Sequence, residues 1–296
     1  MMKLGQKIAL NYIRAKLNIL ALVSKEKAAA KALDLFCTPF RRSKKKKPPV
    51  FDKAEKLHLH LNDIEIRGHR WNHPQERKVL IVHGFESTSF NFDRYIVPLT
   101  RKGYEVLAFD APAHGISGGK KITLPLYVSM LKNIYEKYGP IQSYLAHSFG
   151  GLAVTHFLET YSHDEQTRAA LIAPATETAT AIDSFFRLLH LDNNIRTAFD
   201  ELIFRHSSMR AEELSIRRAM KNIKAKILWF HDEEDELTPL EDALKVKADN
   251  YENIEFVITK GLGHRRIYRE NKVVKQVIEF LGLPKPPTPE SIQEKP

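Results

Sequence analysis

Cysteine is almost absent: Cys37 is the single one in 296 residues. One thiol excludes an internal disulfide framework and fits a reducing compartment, so a cytoplasmic protein is expected. Long apolar runs are missing as well. The N-terminal stretch comes nearest, but Arg14, Lys16 and Asn18 interrupt it well short of the ~20 apolar residues that a membrane span needs. The same charges fall inside the would-be apolar region of a secretory signal, so none is expected. Acids are scarce in one place. Residues 1–50 hold thirteen Lys/Arg against Glu26 and Asp34, a net +11; the whole chain carries +10, so residues 51–296 come to −1. The basic excess belongs to an extension, and no base-stacking module accompanies it. Nucleic acid is therefore not an expected partner.

Hydrophobic residues make up 43% of the chain and charged residues 28%, which predicts a globular core. The length suits one large α/β domain or two ordinary ones. In the extension, Leu4, Ile8, Ile13, Leu17, Leu20 and Leu22 recur at roughly helical spacing and predict a helix over 2–36. The run "TPFRRSKKKKPPV" that follows reads as a linker or surface arm. Such a basic helix suits peripheral association with an anionic membrane through residues 1–50. The plainer alternative is a helix packed on the body, followed by a solvated arm.

The body opens with "KLHLHLNDIEIRGHRW", whose alternation around Asn62-Asp63 predicts a β-hairpin. Six short apolar runs follow, at 78–84, 104–110, 141–147, 168–174, 225–231 and 254–259. Most do not alternate, as expected of strands buried on both faces of a parallel sheet. Helical stretches lie between them, near 90–102, 123–138, 149–162, 239–249 and 268–282. Together these predict a doubly wound, mostly parallel α/β sheet. Residues 175–222 are too long for one crossover and predict an inserted helical lid. The expected organisation is an extension over 1–50, an α/β domain over 51–284 and a Pro-rich tail over 285–296.

Ligands of such sheets bind beyond the carboxyl ends of the strands. After the run 141–147 comes Ser148, with Ala146 and Gly150 two positions to either side. A serine on a tight strand-to-helix turn is exposed, and its close backbones demand small neighbours. Small-x-Ser-x-Gly arises by chance about 0.2 times in a chain of this length, so the pentapeptide alone is weak. The other strand ends add to it. "HDEEDELTP" offers five carboxylates, Asp232 to Glu236, and "KGLGHRR" offers His264 as base. Serine, then acid, then histidine is the chain order expected on this fold. Phe149 N–H and, from the loop "HGFES", Phe85 N–H are the expected oxyanion donors. Glu86 is placed at the pocket, and His83 is expected to brace its loop.

With these motifs, residues 55–284 resemble the α/β-hydrolase family. The matching segments are "HGFES", "FDAPAHGIS", "AHSFGG", "HDEEDELTP" and "GLGH". The resemblance implies the α/β-hydrolase fold and aligns Asp235 with the family's acid. Asp232 stands where glycine is usual, which leaves Glu234 open as the acid. Ala146 replaces the first glycine of the elbow. Asp110 and Ser117 are expected to brace loops. In the lid, Phe185, Phe186, Leu188, Leu189, Phe199, Leu202, Ile203 and Phe204 form an apolar set that either roofs an acyl pocket or packs onto the body.

The expected activity is that of a serine hydrolase acting on a carboxylic ester or a related thioester or amide. Ser148 would be the nucleophile, His264 the base and Asp235 its orienter. The partner is a small acyl substrate, with Glu86, Phe185 and Phe186 at its site. No cofactor and no metal is implied, since the acidic loop lacks companion ligands at metal spacing. The alternative is a non-catalytic scaffold of the same fold.

Overall fold

The computed structural model describes residues 4–43 and 45–282; the expected tail at 285–296 lies outside the described residues. The extension forms two helices, α1 (Leu4–Val23) and α2 (Lys25–Phe36), where one was expected. Ser24 makes the break. Its backbone is extended and its hydroxyl accepts a hydrogen bond from the Lys27 N–H, so the serine caps α2 instead of continuing α1. Among the described residues no helix is long and apolar enough to cross a membrane.

The basic run after α2 is a strap held to the body rather than a solvated arm. The Arg42 guanidinium donates to the carbonyls of Gly115, Ser117 and Gly119. Lys45 donates to Phe90 O and pairs with Asp93. These partners lie some fifty to eighty residues away, and local composition carries no trace of them.

The hairpin comprises β1 (Glu55–Leu61) and β2 (Ile64–Trp71), turning at Asn62 with φ 53°. Leu57, Leu59 and Leu61 are buried while His58 and His60 are exposed, which fixes the register Leu59 opposite Ile66. β2 runs antiparallel to β4 (Glu105–Phe109). The rest of the sheet is parallel: β3 (Lys78–Val82), β5 (Ser143–His147), β6 (Arg168–Ile172), β7 (Lys226–Asp232) and β8 (Ile254–Thr259). The strand order is β1-β2-β4-β3-β5-β6-β7-β8. β4, β5 and β6 are buried at every position, as their unalternating sequences require.

Two cores cover the two faces. Leu80 and Val82 point into one, with α4 (Leu124–Tyr138), α5 (Phe149–Thr160) and α9 (Leu240–Ala248). Val79 and Ile81 point into the other, with α3 (Asp93–Arg101) and α11 (Asn271–Leu281). The insertion after β6 holds α6 (Thr178–Leu189), α7 (Asn193–Ser207) and the short α8 (Ile216–Ala219). α6 and α7 share a third core with α1 and α2, built on Leu17, Ala28, Ala32, Ile182, Ile195 and Phe199. A short helix, α10 (Gly263–Arg266), follows β8.

Candidate active site

β5 ends at His147 and α5 begins at Phe149, so Ser148 carries the whole reversal. Its φ is 55° and its ψ −125°, a backbone that side-chain-bearing residues adopt only under constraint. The constraint is visible: Ser148 N–H donates to Ile172 O, and Ser148 O accepts from Gly151 and Ala175 N–H. A Cβ on Gly150 would lie 2.5 Å from Val82 O, so only glycine permits α5 to start this close to β3. Ala146 is fully buried in the same crowding.

The sheet brings three of the expected side chains together. Ser148 Oγ lies 3.0 Å from His264 Nε2, and His264 Nδ1 lies 2.8 Å from Asp235 Oδ2. With Nδ1 donating to the carboxylate, Nε2 is left to accept the serine proton. Thr238 Oγ1 donates to the same carboxylate oxygen at 2.8 Å, and the N–H groups of Leu237 and Thr238 donate to Oδ1. Burial pushes the Asp235 carboxyl up, but its bond to His264, that residue's charge and the Thr238 donors outweigh it and hold the group below the usual carboxylate range. Glu234 makes no such contact with His264; its carbonyl instead packs near Gly263.

Asp232, the departure from glycine, has a clear job. Its carboxylate accepts from Thr259 Oγ1, Glu234 N–H, Leu262 N–H and Gly263 N–H. Three of these donors belong to the end of β8 and the loop that presents His264. Burial works against the charge, yet these donors together hold the Asp232 carboxyl low.

His147 is a further site residue, unremarked in the sequence although it sits beside Ser148. It is buried, its Nε2 donates to His264 O at 3.0 Å, and its ring lies 4.7 Å from that of His264. Burial, reinforced by the nearby His264, brings its pKa down to about 3, so it stays neutral. The only sequence signal was its place as the last residue of β5.

On the other side of Ser148, a Cβ on Gly84 would come within 2.7 Å of the serine Cβ. The Phe85 and Phe149 N–H groups donate to no other group among the described residues. His83 braces this loop: Nδ1 donates to Gly84 O and Nε2 accepts from Ala111 N–H. His114 Nε2 accepts from Glu86 N–H, holding Glu86 at φ 53°. Asp110 accepts from Thr88 Oγ1, Ser89 N–H and Ile116 N–H, and Ser117 Oγ donates to Asp110 O.

A cavity of about 1530 Å³ opens onto Ser148 and His264. Glu86 and Phe185 line it, together with Leu188, Leu202 and Ile203. Phe186 does not, contrary to expectation. It is buried between helices, edge-on to Phe199 at 5.2 Å, with Leu189 in the same core. Neighbours on a helix point about 100° apart, and here Phe185 turns toward the cavity while Phe186 turns into the core with Phe199. Phe204 is exposed beside Arg210.

Residues 73–198 match the family described as serine aminopeptidase, S33. A serine hydrolase-like protein of Danio rerio is 31% identical over 102 residues, which cover 33% of this chain and 31% of that protein. A serine hydrolase-like protein of Dictyostelium discoideum is 29% identical over 176 residues, 51% of this chain and 48% of that protein. The chain thus spans less than half the length of these curated relatives. Among solved structures, an esterase of Pyrococcus furiosus superposes with a TM-score of 0.59 at 21% identity, covering 82% of this chain and 95% of that one.

Proposed function

We propose that this chain, whose fold is that of the α/β-hydrolases, is a serine hydrolase that cleaves carboxylic esters through an acyl-enzyme on Ser148. The observation that carries this reading is the continuous relay from Ser148 Oγ through both nitrogens of His264 to Asp235. Serine at its ordinary pKa is a weak nucleophile, and an oriented imidazole is what activates it.

Ser148 Oγ attacks the carbonyl carbon while its proton passes to His264 Nε2. The carbonyl oxygen gains the charge and is met by the Phe85 and Phe149 N–H groups. Collapse breaks the ester C–O bond, and the leaving oxygen takes the proton from His264. Water then attacks the acyl-serine carbonyl, giving its proton to Nε2. The second collapse returns that proton to Oγ and releases the acid. Asp235 keeps Nδ1 protonated and stabilises the imidazolium formed in each half.

The test is turnover of p-nitrophenyl esters together with covalent labelling by a fluorophosphonate. Wild type is expected to do both and Ser148→Ala neither. Folded wild type that neither hydrolyses nor labels would instead favour the non-catalytic scaffold.

A second role rests on a separate observation. Ile8, Tyr12, Ile19, Leu22 and Val23 are exposed along one side of α1, opposite the buried Leu17, and Lys16, Lys25 and Lys27 lie exposed nearby. An apolar helix face with basic flanks suits peripheral docking on an anionic bilayer. Co-sedimentation with phosphatidylserine vesicles, lost in Ile19→Asp/Leu22→Asp, is the expected result; no binding by wild type removes this role.

A further inference from the structure

The cavity beside Ser148 has a wall that neither the sheet nor the insertion supplies. α2 and the strap contribute Ala30, Leu33, Phe36 and Phe40 to its lining. This wall is built in. Ala28, Ala29 and Ala32 are fully buried, and their small side chains let α2 close on the insertion. Phe36 meets Phe185 edge-on at 5.3 Å and Phe199 at 5.8 Å, locking the end of α2 to both insertion helices. Just beyond it, Phe40 N–H donates to Glu86 Oε1 at 2.9 Å. Glu86 follows Phe85, so the strap is tied to the loop that carries an oxyanion donor. Lys121 pairs with Asp34 on the same edge.

Size and lining limit what fits. Pockets for compact ligands run to roughly 300–1,000 Å³, and this one holds about 1530 Å³. Half of its lining residues are aliphatic or aromatic, and they supply most of the exposed wall surface. Every methylene moved from water into such a space strengthens binding about fourfold, so a long alkyl chain gains most.

We propose that residues 25–43 form the acyl-chain wall of the active-site cavity, and that the substrates are esters of long-chain fatty acids. The ester rests on the hydrolase reading above; the alkyl chain rests on the cavity alone. The extension is then part of the substrate site, and chain length is set jointly by α2 and α6.

Two measurements on the full chain test this. The first is binding of a fluorescent 18-carbon polyene fatty acid, which needs no catalysis. The second is the ratio of kcat/KM for p-nitrophenyl palmitate to that for p-nitrophenyl butyrate. Leu33→Trp fills the cavity from α2. Ala30→Trp does so from an exposed position at its edge, where no core contact is lost. Each is expected to weaken fatty-acid binding and lower the ratio by about tenfold or more. Leu244→Ser, exposed on α9 and away from the cavity, is expected to leave both unchanged. Wild-type protein that binds no fatty acid overturns the proposal, as do folded tryptophan variants with wild-type binding and ratio. Fatty-acid binding that responds to the tryptophans in a protein that no fluorophosphonate labels would support the wall and overturn the hydrolase reading instead.

Discussion

Asp235 Oδ2 lies 2.8 Å from His264 Nδ1, inside a turn whose own backbone N–H groups saturate the other carboxylate oxygen. The carboxylate therefore has one oxygen for the loop backbone and one that the imidazole shares with Thr238 Oγ1. Asp235→Asn would place an amide against Nδ1 and favour the tautomer in which Nε2 carries the proton, where it cannot accept from Ser148. We expect kcat for a p-nitrophenyl ester to fall by roughly 10³–10⁴-fold. Glu234→Gln, one residue away, is expected to stay within about threefold of wild type, as surface changes usually do. Equal losses in the two variants would move the acid away from Asp235.

Asp232 acts through the loop rather than on substrate. Its four donors join the end of β7 to the backbone just before His264. In Asp232→Asn one oxygen becomes an NH₂ facing N–H groups that need an acceptor. The expected cost is about 1–3 kcal/mol in urea unfolding. A loosened His264 should also cut kcat by roughly 10- to 100-fold with KM for a short ester little changed. Wild-type kcat in a folded Asp232→Asn protein would show that the loop holds its shape without the carboxylate.

Much of this site was legible because it lies at strand ends. Apolar runs locate the strands, chain order assigns their ends to one rim, and Ser148 and His264 follow. The candidate acid was harder: five consecutive carboxylates sit in one loop, and only the turn geometry shows that Asp235 rather than Glu234 meets His264. Phe186 was misplaced because composition marks a helix as apolar without saying which face meets the cavity. The strap's hold on the body was not foreseen because most of its anchors are backbone carbonyls, Phe90 O and those of Gly115, Ser117 and Gly119, which have no sequence signature. His147 went unnoticed because a histidine ending a buried strand reads as core until its contact with His264 O is seen.

Gly84 is needed for closeness. A Cβ there would stand 2.7 Å from the Ser148 Cβ and 3.1 Å from His147 O, and neither can yield without moving Ser148. Gly84→Ala should therefore displace Ser148 relative to Phe85 N–H. A shift approaching 1 Å costs on the order of 100-fold in kcat. Fluorophosphonate labelling rate reads the same defect directly. Normal labelling in the alanine variant would mean that the two loops have room to separate.

The last prediction concerns acid. Burial holds His147 and His114 neutral, with pKa values brought down to about 3, and pulls His69, His83, His156 and His231 in the same direction. In the unfolded chain each imidazole titrates near ~6.5. Between that value and its folded one, the unfolded state binds a proton that the folded state refuses. Stability from these histidines is thus full above pH ~6.5 and is lost as pH falls below it, down to about 3 for His147 and His114, at up to ~1.4 kcal/mol per pH unit for each. The urea midpoint of wild type is expected to drop steadily from pH 7.5 to 5. His147→Gln, whose side-chain amide can still donate to His264 O, should show a shallower drop over the same range. A midpoint independent of pH in wild type would mean that the folded protein admits these protons, and that His147 beside Ser148 is more open to water than its burial implies.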